Sequence, residues 1–175
     1  ECGFPLCKGN IMAGNPKWCL SLEEWQAEFS DWIRSSAPEA LLNAAIFFDF
    51  RCIWGVAALA DRLREWLLAT ASVNPRFLHQ MAENALQTQP PLGLLHDFST
   101  SGSGRDADTL DLKGQGARLF VDAARIYALQ CRIAATGTAA RLRAASAVLS
   151  VNRDEVAASL DAFFFIQLLR LRHDV

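Results

Sequence analysis

Helical spacing dominates the chain. Leu22, Trp25, Phe29, Trp32 and Ile33 recur three or four residues apart, which predicts a helix through about residue 36. Ser21 followed by Glu24 is a capping-box pattern that opens it. Pro38 fits the first turn of a second helix, read from about 38 to 69. Asn74-Pro75 restarts a third, with Phe77, Leu78, Met81, Ala82, Ala85 and Leu86 as its buried stripe. The pattern changes after Pro90-Pro91. Leu94, His96 and Phe98 alternate with other residues, as do Leu110 and Leu112, around the polar tip "STSGSGRDADT". That alternation predicts a small β-hairpin. Helices resume at about 115–131, 137–149 and 152–172. The last carries Asp154 and Glu155 in its first turn and Arg170, Arg172 and His173 in its last, an order that suits the helix dipole. The expected fold is all-α, a bundle of about six helices with one small β-hairpin excursion.

Residues 1–17 read as an irregular lead-in, punctuated by glycine and proline. Phe4, Leu6, Ile11 and Met12 make it too apolar for a free linker, so it packs on this domain or on something upstream. The chain opens on Glu1-Cys2-Gly3 rather than methionine, as a piece of a longer polypeptide would. The domain boundary is therefore placed at 17/18, with a helical domain over 18–175.

Composition narrows the class. With 175 residues, 51% of them hydrophobic and 21% charged, the chain is long and apolar enough for one domain with a sizeable core. A net charge of −2 gives no general attraction to nucleic acid or anionic membrane. Five cysteines, an odd number without a CxxC pair, read as reduced thiols of a cytoplasmic protein. None of His79, His96 and His173 has zinc-type spacing to a partner.

The most apolar run, Leu41 to Ala60, contains "IFFDFRCIW", with Asp49 and Arg51 at its centre. Each charge would be costly in hydrocarbon, which argues for a buried core helix rather than a membrane span. On a helix the two side chains point nearly opposite ways, so each needs a partner on another element. The segment "DLKGQGARLFVDAARIYAL" at 111–129 supplies Asp111, Lys113, Asp122 and Arg125. Asp122 and Arg125, three apart, share one face of an otherwise apolar helix. Two readings follow. The charges form a buried structural network, or they line a polar groove where a charged ligand or a neighbouring domain docks.

Other chemistry finds little support. "KGQG" at 113–116 precedes a helix and could hold an anion, but its lysine comes before the glycines and no GK[ST] follows. A hairpin-to-helix turn explains it better. No GxSxG frames a serine and no cysteine has an evident histidine, so a stand-alone hydrolase is disfavoured. Asp106 and Asp108, in the glycine-serine tip, match a metal-binding DxD by letter only.

Taken together, "PLCKGNIMAGNPKWC", "FFDFR", "PPLG", "DLKGQG", "DAARIYAL" and "TGTAARL" resemble, in order and spacing, the family described as putative nucleotidyltransferase substrate-binding domain. That family is the helical C-terminal module of bacterial signalling proteins that also carry cyclic-nucleotide-binding and CBS domains. The resemblance implies an upstream catalytic domain, similar to the protein-PII uridylyltransferases, which holds the magnesium and the nucleoside triphosphate. It matches the family's FDFR to Phe48, Asp49, Phe50 and Arg51, and its DLK to Asp111, Leu112 and Lys113.

On these grounds the first expectation is an accessory substrate-binding domain, inactive alone, that presents a protein or small-molecule acceptor to the upstream nucleotidyltransferase. Asp49, Arg51, Lys113, Asp122 and Arg125 are the candidate substrate-binding residues. Lys113 and Arg125 would neutralise phosphate or an acidic acceptor surface, and Asp49 would orient a cation or hydroxyl. The alternative, from another class, is a structural or regulatory interaction module with those charges as internal struts. Neither involves nucleic acid or a membrane, and an oligomer is compatible with both.

Overall fold

The computed structural model describes residues 7–12, 14–35, 37–92 and 109–173. Among them are seven α-helices, α1 (Leu22–Arg34), α2 (Pro38–Phe47), α3 (Ala57–Ser72), α4 (Pro75–Leu86), α5 (Arg118–Gln130), α6 (Thr138–Leu149) and α7 (Arg153–His173). A short 3₁₀ turn, Pro16–Trp18, precedes α1, and a π-helical turn, Leu112–Ala117, runs directly into α5.

Local chemistry sets the helix starts. Ser21 and Glu24 complete the reciprocal capping box: the Glu24 amide donates to Ser21 Oγ at 3.2 Å, and the Ser21 amide to Glu24 Oε2 at 2.7 Å. These hydrogen bonds, the backbone one foremost, hold the Glu24 carboxyl below its usual range. Pro38 and Pro75 occupy first turns, and the Asn74 side chain accepts from the Phe77 amide.

The expected helix over 38–69 is two helices. It ends at Phe47 and restarts at Ala57, and the nine residues between them are not helical. A continuous helix of that length would span about 48 Å. The break lets Phe48 turn inward, 4% exposed, against Phe29 and Phe77. Gly55, at φ +97°, supplies a backbone conformation that other residues rarely adopt.

The hairpin is not supported. No strand occurs among the described residues, and Leu110 and Leu112 lead into the π turn instead. Leu94, His96, Phe98 and the rest of 93–108 lie outside the described residues.

Packing centres on two layers. Phe29, Trp32 and Ile33 of α1 meet α2 and α3, and Leu63, Leu67, Leu68, Phe77 and Met81 extend that core to α4. Helix α5 is the hub, touching α3, α4, α6 and the π turn. Its other side reaches α7 through Phe120 and Phe163, whose rings lie 5.9 Å apart. Trp18, at the start of the helical domain, stacks on Trp25 at 6.1 Å, meets Phe47 at 4.4 Å, and ties the lead-in to the domain by donating from its indole to the Asn10 carbonyl. Among the described residues, no helix is long and apolar enough to cross a membrane.

Candidate functional site

Asp49 lies two residues past the end of α2, where the chain has left the helix. Its carboxylate bridges two other helices. Oδ2 accepts from Arg125 Nη2 of α5 at 2.6 Å, and Oδ1 lies 2.6 Å from Arg141 Nη2 of α6. Arg125 also reaches Asp122 Oδ1 at 3.1 Å, one helical turn back, and Asp122 Oδ2 accepts from Arg118 Nε at 3.2 Å. Arg141 completes its bonding by donating Nε to the Ala135 carbonyl at 2.7 Å. Arg125 Nε is buried without a hydrogen-bond partner.

The arginines are the inner members. The side chains of Arg125 and Arg141 are 10% and 7% exposed, against 29% for Asp49. Guanidiniums this deep need carboxylates beside them, and Asp49 and Asp122 balance the two charges. Burial alone would raise the Asp49 pKa. Hydrogen bonds from Arg141 and Arg125, together with their charge, outweigh that and hold it below the usual carboxylate range.

Little open space adjoins the two buried guanidiniums. The cavity between Arg125, Arg141, Arg64 and the leucines of α3 measures about 10 Å³, room for no more than one water.

Of the residues singled out from sequence, Asp49, Asp122 and Arg125 come together here. Arg51 and Lys113 do not. Both are exposed, and neither makes a side-chain ion pair among the described residues. The inference that Asp49 and Arg51 do not answer each other holds, although its helical premise fails, because both sit in the break. Arg141 was missed. Its signal was an arginine four residues before Ala145 on the buried face of α6, inside "TGTAARL".

"DLKGQG" folds as a self-capped turn. Asp111 Oδ1 accepts from the Lys113 and Gly114 amides at 3.1 and 2.7 Å, taking the groups that an anion would use. A Cβ on Gly114 would collide with that carboxylate. No group of three or more His, Cys, Asp or Glu side chains suited to a metal occurs among the described residues, and Asp106 and Asp108 lie outside them.

The network's consequence lies in the residues that follow it. Arg64 of α3 donates to the Phe50 carbonyl at 2.5 Å and places its guanidinium 4.8 Å from the Phe50 ring centre. Thus Asp49 and Phe50 anchor the root of a loop, Arg51–Val56, in which every residue is exposed. Ile53 and Trp54 are 89% and 96% exposed. Beside this loop, Phe50 and Leu59 join Leu22, Trp25, Phe29 and Phe47 around an apolar recess of about 270 Å³.

The family model described as putative nucleotidyltransferase substrate binding domain matches residues 75–175, which is 101 of the 175 residues. A second model, described as a putative nucleotidyltransferase, matches residues 1–39. No curated protein and no solved structure matches the chain. Asp122, Arg125 and Arg141 fall in the larger match, whereas Asp49 and the exposed loop lie between the two. The chain belongs to the putative nucleotidyltransferase substrate-binding domain family.

Proposed function

From that membership, we propose that this chain is the accessory domain of a nucleotidyltransferase and holds the acceptor through its Arg51–Val56 loop. One contrast carries the reading. Asp49 and Phe50 are fixed by Arg125, Arg141 and Arg64, and the next six residues are all exposed. The N-terminal root of that loop is already held, so docking need not order Asp49 and Phe50. Trp54 offers the aromatic anchor that interfaces favour. Arg51 offers a guanidinium for phosphate or for an acidic acceptor surface. In this reading the nucleoside triphosphate and magnesium bind on the catalytic domain, which resembles the protein-PII uridylyltransferases. Its setting is a bacterial, cytoplasmic signalling protein with cyclic-nucleotide-binding and CBS domains.

The pairing of Asp49, Asp122 and Arg125 favours the strut reading for them, and the groove of charges narrows to Arg51. Lys113 stands apart from the loop in sequence and in the network, and is left with a solvated role.

Hydrogen exchange on the protein that joins this domain to its catalytic domain tests the assignment. Protection of residues 51–56 that appears only with acceptor supports it. Protection by the catalytic domain alone favours an interaction module instead. The isolated chain, given labelled nucleoside triphosphate and magnesium, should transfer nothing; robust transfer would overturn the accessory role.

A further inference from the structure

The recess beside the Arg51–Val56 loop is walled by α1, the end of α2, Phe50 and the first turns of α3. Among the described residues that line it, Trp25 alone carries a hydrogen-bonding side chain, and none is charged. The apolar character continues outward. Val56 and Leu59, 66% and 51% exposed, join Ile53 and Trp54 at its edge. Arg51 is the one charged residue between Phe50 and Leu59. Single exposed leucines need no explanation, but four large apolar residues beside an apolar recess do.

Resting on the acceptor role of this loop, we propose that the acceptor is a protein. It seats one large apolar side chain in the recess and sets a carboxylate against Arg51. In the transfer itself, an acceptor hydroxyl oxygen bonds the α-phosphorus of the nucleoside triphosphate. The bond from that phosphorus to the bridging oxygen breaks, pyrophosphate leaves, and the hydroxyl proton passes to water.

Polarity decides the class. A small acceptor carries its nucleophile within a few bonds of every other atom, so its polar groups would enter the recess with it. Against this lining they would lose their hydrogen bonds to water and gain almost none. Small-molecule sites combine an apolar lining with several placed polar groups and usually exceed about 300 Å³. The recess, at about 270 Å³, falls short on both counts. A protein separates the two demands. Its hydroxyl stands in the catalytic domain while a distant apolar side chain anchors it here. An aromatic anchor, an apolar pocket and a guanidinium at the rim are the parts of a protein hot spot. A bilayer offers nothing to fill a recess, and one arginine gives little attraction to anionic lipid.

The protein that joins this domain to its catalytic domain is given magnesium, each α-labelled nucleoside triphosphate, and a soluble extract of its source organism divided by ultrafiltration. Label should enter a retained polypeptide other than the enzyme. Label in a filtrate compound instead would overturn the protein class and leave the loop reading standing. Label in neither fraction would overturn that reading and the inference with it. Trp54→Ser and Leu59→Glu should each cut labelling of the polypeptide at least tenfold with melting unchanged, since both side chains are largely exposed. Should Leu59→Glu lower the melting temperature, Trp54→Ser decides, its side chain being 96% exposed. Loss from Arg51→Ala alone, with both apolar variants at the parent rate, would keep the loop and refute the apolar anchor. Flotation with phosphatidylcholine–phosphatidylglycerol vesicles that depends on Trp54 would assign the face to a membrane and overturn the proposal.

Discussion

Asp49 and Arg125 stand 76 residues apart in sequence and meet at 2.6 Å. The contact ties the break between α2 and α3 to the central helix, and Arg141 ties the same carboxylate to α6. Three helical regions therefore depend on one side chain that no helix holds.

Replacing Asp49 by asparagine leaves Arg125 and Arg141 charged and nearly buried. Breaking such a network from one side costs more than the network contributes. We expect a loss of roughly 2–4 kcal/mol, reduced from the fully buried case because Asp49 is partly solvated. Urea unfolding of Asp49→Asn against the parent protein measures it. A change within experimental scatter would show that the arginines find other partners.

Acid should weaken the fold through the same residue. The folded-state pKa of Asp49 lies below its ordinary 3.8. Its contribution is fully present above that ordinary value and disappears as pH falls through the lowered folded value. The parent protein should therefore lose stability on acidification below about pH 4, and Asp49→Asn should lose less over the same interval. Melting temperatures of the two proteins, followed downward in pH, should converge. Parallel curves would contradict the assignment.

The two glycines of "KGQG" should behave differently. Gly114→Ala drives a Cβ into the Asp111 carboxylate that caps the π turn, and a loss of about 1–2 kcal/mol is expected. Gly116→Ala adds a methyl group at 3.4 Å from the Ile166 side chain, an ordinary contact between the π turn and α7. It should be neutral or stabilising by about 0.5 kcal/mol, since alanine restricts the unfolded chain. Thermal melts of the two variants distinguish them directly.

Much of the fold was legible, because amphipathic spacing and caps survive in the residues themselves. Leu22 to Ile33, the Ser21–Glu24 box and the Asn74-Pro75 start each specify a local event, and each occurs. The break at 48–56 was not legible, since "FFDFRCIW" has no proline and reads as one apolar run. What breaks the helix is tertiary: Phe48 enters the aromatic core while Asp49 is held by two distant arginines. The one local sign was Gly55. The site was half legible. A charge in an apolar run announces a partner, and Asp122 with Arg125 was the richest supply. Arg141 escaped because Arg143 follows two residues later among alanines and a leucine, and nothing in that run says which of the two arginines is buried. The exposure of Trp54 could not be read at all, because tryptophan at that position is as natural in a core.

The division of labour between the paired network and the open loop is tested most directly by Arg51→Ala. The variant is placed in the protein that joins this domain to its catalytic domain, and acceptor-dependent nucleotidyl transfer is measured beside thermal melting. Arg51 is exposed and outside the network, so the melting temperature should stay within about 1 °C of the parent value. The transfer rate at subsaturating acceptor should fall about tenfold, the loss of one charge-assisted contact. Transfer at the parent rate with an intact fold would contradict the account.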